Sequence, residues 1–191
     1  LKVTGKFDKY TDAKKTTVFT AVGKVTLGKA DIAMMTVDGE LSVADVESKI
    51  ADLVINGTVT VQNEKTLTSD NIEVFGSLVA VVKTDSKGQG DIVVNNNLYI
   101  GVAKKVIDEG KTGAAASVSG EMTVKNMAVV SDGSTIPADV VKGIPSTEFY
   151  VEDEKFVTVY DFNESAANKV DINDIKYVCL LYTSPSPRDR S

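Results

Sequence analysis

A nine-residue pattern, apolar-x-apolar-x-Gly-x-apolar-x-apolar, recurs seven times and constrains the fold more than any other feature of this chain. Its centres are Gly5, Gly23, Gly39, Gly57, Gly76, Asn96 and Gly120, spaced 18, 16, 18, 19, 20 and 24 residues apart. Of the 28 positions two and four residues from these centres, 27 are apolar, Lys9 being the exception. At the chain's 42% apolar content, chance would place ~12 there. The intervening positions are mostly polar: Lys6, Lys24, Glu40, Thr58, Ser77, Asn97 and Glu121 follow the centres. Alternation with a period of two sends one set of side chains inward and the other toward solvent. The central Gly falls on the inward parity, where a missing side chain suits a bend between two short strands.

One such unit cannot bury its apolar stripe alone, but stacked units can. The sequence therefore predicts an all-β fold, a right-handed parallel β-helix (β-solenoid) of about seven coils. Coils stacking at roughly 4.8 Å would make a rod of roughly 30 Å. Ile55, Val74 and Val94 are expected in contact inside, with Thr58 and Ser77 outside. Asp52, Asn71 and Asp91 each stand five residues before a centre, a spacing that predicts either a polar ladder or ordinary turn residues. An antiparallel β-sandwich remains the alternative fold. It explains the strand spacing but not the constant phase of the glycines.

Composition divides the chain further. The repeats occupy residues 1–143. Ile136-Pro137 and Ile144-Pro145 then punctuate the sequence, and Phe149-Tyr150-Val151 and Phe156-Val157-Thr158-Val159-Tyr160 flank a charged turn, Glu152-Asp153-Glu154-Lys155. This reads as a β-hairpin cap over 144–162, covering the strand edges that an open stack exposes. Residues 163–178 read as a linker or the start of a further module. The last segment, 179–191, holds the only Cys, the only two Arg and two of the four Pro. Cys179 to Asp189 resembles a translated sequencing-library adapter, as found at the ends of genes predicted from metagenomic assemblies. The resemblance implies a non-native tail, and with Leu1 in place of Met it predicts a fragment with more of the same chain at both ends.

Without that tail the chain has no Cys, His, Trp or Arg, and 19 Lys against 26 acids give a charge of −7. An acidic chain lacking Arg is a poor nucleic-acid binder, and no apolar run approaches the length of a membrane span. The absence of His and Cys removes the commonest general base, the commonest strong nucleophile and every zinc site of the Cys/His type. Carboxylates alone could cleave glycosidic bonds if two stood at a defined separation, but the outward acids Asp38, Glu40 and Glu121 belong to different units. Glu152, Asp153 and Glu154 read as solvated turn charge. Asp85 to Asp91, with Gly88 and Gly90, and the cluster Asp171, Asn173 and Asp174 offer oxygen ligands of the type calcium takes, without the spacing of a known loop. Phe75 and Tyr99 face outward by parity but are too dispersed for a sugar-stacking platform. Asn56-Gly57-Thr58 and Asn163-Glu164-Ser165 match the glycosylation pattern. The sequence predicts no enzyme: no catalytic, cofactor-binding or metal residues and no cofactor.

The Gly-centred units, followed by Ser146-Thr147-Glu148-Phe149-Tyr150-Val151 and a second aromatic strand, resemble adhesin-like β-helical repeat surface proteins of gut and rumen microbes, including methanogenic archaea. That resemblance implies an extracellular or cell-surface chain serving as a structural or interaction module, a stalk or adhesin-like display surface. It implies surface glycans or proteins of host or microbes as partners, with no nucleic acid and no membrane insertion by this fragment. No functional residue carries over from these families. The alternative is a non-catalytic fragment of a carbohydrate-active β-helix enzyme.

Overall fold

The structure, a computed structural model, describes residues 2–5, 18–45, 48–81, 90–104, 115–151 and 155–163. Among them the chain is mostly β, with fifteen strands and one short helix. In chain order the strands are β1 (Lys2–Gly5), β2 (Val18–Ala21), β3 (Lys24–Leu27), β4 (Asp31–Val37), β5 (Glu40–Val43), β6 (Ser48–Ile55), β7 (Thr58–Val61) and β8 (Thr66–Val74). There follow β9 (Ser77–Ala80), β10 (Asp91–Ile100), β11 (Ser117–Ser119), β12 (Glu121–Val124) and β13 (Met127–Ser131). The helix α1 (Ala138–Val141) precedes β14 (Ser146–Val151) and β15 (Lys155–Asp161).

Through β11, successive strands alternate between two sheets, and each pairs with the next strand but one. The six-stranded sheet runs β1-β3-β5-β7-β9-β11, and the nine-stranded sheet runs β14-β15-β13-β10-β8-β6-β4-β2 with β12 beside β10. Every pairing among β1 to β13 is parallel. The antiparallel alternative therefore does not describe the repeats. Antiparallel pairing is confined to β15 with β13 and β14.

The register carries the apolar columns seen in the sequence. In the nine-stranded sheet Ala21, Val37, Ile55, Val74 and Ile100 align, as do Phe19, Met35, Leu53, Ile72 and Leu98. In the six-stranded sheet Val25, Leu41, Val59, Leu78 and Val118 align. Inward residues of both sheets join one buried cluster. Ile55, Val59, Ile72, Val74 and Leu78 are fully buried there, each contributing about 1.5–3 kcal/mol relative to exposure. Among the described residues three serines are buried, Ser48, Ser69 and Ser131, and each is satisfied, Ser131 Oγ lying 2.9 Å from Ser134 Oγ. Ser48 donates to the Gly28 carbonyl at 2.9 Å, and Ser69 Oγ lies 3.2 Å from the Ala51 carbonyl and 2.9 Å from that of Asn71.

Four of the predicted centres, Gly23, Gly39, Gly57 and Gly76, are corners between the two sheets, and a backbone ladder joins them. Glu40 N–H donates to Gly23 O at 2.7 Å, Thr58 N–H to Gly39 O at 2.8 Å, and Ser77 N–H to Gly57 O at 2.9 Å. A Cβ on Gly39, Gly57 or Gly76 would land on the carbonyl oxygen of the preceding corner glycine. Close approach of one backbone to the next, and not only the bend, excludes a side chain there.

The other three centres are corrected. Gly5 pairs with Leu27, four residues beyond the corner Gly23. Asn96 lies inside β10, at a register shift between Val94 and Asn97. Ile100, not Val94, therefore aligns with Val74 and Ile55. Val118 aligns with Leu78, which places Ala116 at the corner and Gly120 four residues past it. Asn96 lies within β10 and Gly120 directly follows β11, so the two mark one unit, β10 in one sheet and β11 in the other, rather than two units. Asp91 pairs with Thr66 and leaves the column of Asp52 and Asn71, where Asn97 takes its place.

The predicted hairpin is present as β14 and β15, and β15 occupies the edge of β13. Helix α1 was not anticipated; it follows Pro137, whose fixed φ suits a helix entry. A second apolar cluster, Tyr99, Val102, Met127, Val129, Val157 and Val159, is separate from the shared core. Leu1, Phe7, Lys9, Asp85 to Gly88, Glu152 to Glu154, Glu164, Ser165, Asp171, Asn173, Asp174 and the segment 179–191 lie outside the described residues.

Candidate interaction surface

The outer face of the six-stranded sheet is a regular array. The first residues after the corners, Lys24, Glu40, Thr58, Ser77 and Ser117, pair strand to strand. So do the third residues, Thr26, Ser42, Thr60, Val79 and Ser119. No register shift interrupts the pairing, and neighbouring strands stand about 4.8 Å apart. Thr and Val suit this half-buried pleated surface. Over β3, β5 and β7 the face carries a shallow groove of about 860 Å³, lined by Lys24, Thr26, Glu40, Ser42, Thr60 and Gln62 among others. Lys24 Nζ lies 3.0 Å from Glu40 Oε2, both side chains well exposed. Gln62 Nε2 donates to Ser42 Oγ at 2.8 Å, and farther along Ser117 Oγ donates to Ser77 Oγ at 3.2 Å. The groove combines outward hydroxyls and an amide with a larger share of apolar surface, and its described charges balance.

The outer face of the nine-stranded sheet is less even. A ladder of carboxylates and amides runs along it: Asn71 Nδ2 donates to Asp52 Oδ1 at 2.9 Å, and Asn126 Nδ2 to Asn97 Oδ1 at 2.7 Å. Beside it Asn95 Nδ2 donates to Asp70 Oδ1 at 3.0 Å, while Lys125 Nζ donates to Asn95 Oδ1 at 2.7 Å. Lys104 crosses the ladder. Its backbone N–H donates to Glu73 Oε2 at 2.8 Å, and its Nζ stands 3.6 Å from Asp52 Oδ1. These groups satisfy one another and leave no open carboxylate pair at that point.

Asp38, Glu40 and Glu121, the outward acids singled out in the sequence, are not brought together. Asp38 accepts a hydrogen bond from Asn56 Nδ2 at 2.7 Å. Glu40 belongs to the groove with Lys24, and Glu121 lies on the other sheet, opposite Asp91. Among the described residues no three His, Cys, Asp or Glu side chains stand close enough to hold a metal ion. Tyr99 faces outward, as its parity requires, but is buried in the second cluster. Phe75 sits at the corner, its N–H donating to the Ile55 carbonyl at 2.7 Å. Asn56 is exposed at its corner. Sequence reasoning missed Thr26, Ser42, Thr60 and Gln62 as members of a groove. Their signal was the outward parity that had already marked Lys24, Glu40 and Thr58.

A second cavity, of about 620 Å³, lies between β13, β15 and α1 and is lined by Ser131, Asp132, Thr135, Glu148, Thr158 and Tyr160 among others. Among the described residues no helix is long and apolar enough to cross a membrane. No protein-family model, curated protein or solved structure matches the chain.

Proposed function

We propose that this chain is a parallel β-helix that serves as a structural and interaction module, a stalk or display surface, of an extracellular or cell-surface repeat protein. The observation that carries this reading is the pair of parallel ladders sharing one core. Such an arrangement grows by adding units and presents long, regular side faces. The groove over β3, β5 and β7 is one such face. Internal satisfaction of the Asp52–Asn71 and Asn97–Asn126 pairs also supports a scaffold role. On this reading the β14–β15 hairpin is a cap, because it occupies the edge that β13 would otherwise expose.

The alternative is a non-catalytic fragment of a carbohydrate-active β-helix enzyme; a cleavage site in the groove itself finds little support. Among its described lining residues Glu40 is the one carboxylate, and it is tied to Lys24. Glycoside cleavage needs an acid and a base or nucleophile across the scissile bond. Two measurements test the proposal. Incubation with a panel of plant and microbial polysaccharides should release no new reducing ends, and antibodies raised against the chain should label intact cells of its source. Release of oligosaccharides, or labelling only after the cells are opened, would overturn it.

A further inference from the structure

We infer that the groove over β3, β5 and β7 binds an uncharged linear polysaccharide lying across the strands. This inference rests on the interaction-module reading and names the partner class of that surface. Geometry is the first support. Strands β3, β5 and β7 pair residue for residue, so equivalent side chains repeat about every 4.8 Å across the groove. An extended sugar chain repeats its hydroxyls on a similar length, and successive sugars could meet successive strands in the same way.

The chemistry of the lining is the second support. Thr26, Thr58 and Thr60 make no side-chain hydrogen bond to another described residue, and each hydroxyl can both donate and accept. Sugar hydroxyls have the same dual capacity. Ser42 and Gln62 already form a hydroxyl–amide pair of the kind a sugar hydroxyl could extend.

Charge selects among polymers. Lys24 and Glu40 neutralise each other within the groove, and the whole chain carries −6. A polyuronate or nucleic acid would meet net repulsion without a compensating basic patch. A protein partner is also disfavoured, because the outward lining residues include no aromatic or Arg to act as an anchor. Binding would then depend on several modest hydrogen bonds repeated along one chain. Each contributes only about 0.5–1.5 kcal/mol, so affinity should rise with polymer length.

Affinity electrophoresis of the full chain in gels containing xylan, galactomannan or mixed-linkage β-glucan tests this directly, with polygalacturonate as the charged comparison. At least one neutral polymer should retard the chain, and polygalacturonate should not. The double variant Thr58→Val/Thr60→Val keeps side-chain shape and β propensity while removing two hydroxyls. It should melt at the parent temperature and bind about tenfold more weakly. Thr58→Glu/Thr60→Glu, which adds two negative charges, should abolish retardation while its melt reports folding separately. The inference is overturned if no neutral polymer retards the chain, if polygalacturonate retards it equally, or if the folded double Val variant binds like the parent. Such failure would leave the module reading standing, since that reading falls on cleavage products or absence from the cell surface.

Discussion

Gly57 lies so close to Gly39 that a methyl group on Gly57 would overlap the Gly39 carbonyl oxygen. The clash is with backbone, which cannot swing aside. Gly57→Ala must therefore separate two neighbouring strands or bend the corner, and is expected to cost about 3 kcal/mol. Gly28 is the internal control: its added Cβ would meet nothing within 4 Å. Gly28→Ala should stay within about 0.5 kcal/mol of the parent. Denaturant midpoints of the two variants check this, and equal losses would contradict the corner contact.

Ile72 is fully buried between Leu53 and Leu98 in its column. Ile72→Val should cost about 0.5–1.5 kcal/mol, and Ile72→Asp should unfold the neighbouring strands by placing an unpaired charge in the core. Lys65, in the turn before β8, should tolerate Ala within about 0.5 kcal/mol. Thermal melts with far-ultraviolet dichroism separate these cases. Similar losses for Ile72→Asp and Lys65→Ala would refute the assigned register.

The Asp52–Asn71 hydrogen bond spans adjacent strands at 2.9 Å. A double-mutant cycle with Asp52→Ala and Asn71→Ala should give a coupling of about 0.5–1.5 kcal/mol. Lys104, 3.6 Å from Asp52, should contribute less to that carboxylate, because exposed ion pairs are typically worth under about 1 kcal/mol. A coupling indistinguishable from zero would reduce the ladder to a surface coincidence.

Asn56-Gly57 is the dipeptide most prone to deamidate in flexible chains, where the glycine nitrogen attacks the asparagine side-chain carbonyl. Here the Gly57 N–H is committed to the Val37 carbonyl at 2.9 Å, and Asn56 Nδ2 is held by Asp38 at 2.7 Å. The folded chain should keep this asparagine during prolonged incubation at mildly alkaline pH, while the urea-unfolded chain converts. Peptide mass spectrometry reads the one-unit gain. Equal rates in both states would show that the corner does not hold the attacking nitrogen.

Much of the architecture was legible in the alternation around Gly23, Gly39, Gly57 and Gly76. Burial of one face selects period-two apolar patterning, and close backbone contact at the corners selects glycine, so both leave marks in the residues themselves. The misplaced centres share one cause. Gly5 and Gly120 stand four residues past a corner position, and Asn96 stands six before one. Every one of these shifts is even, and an even shift returns each side chain to the same face. Hydrophobicity alone is blind to such errors. Only the backbone pairing, with its irregularity between Val94 and Asn97, decides that Ile100 rather than Val94 joins Val74. The groove was hidden for a related reason. Outward parity marks Lys24, Thr26, Ser42 and Gln62 as solvent-facing, but their association requires residues about 20 apart to pair in register. That register is set by hydrogen bonds between backbones, in which every residue type can accept and all but proline can donate.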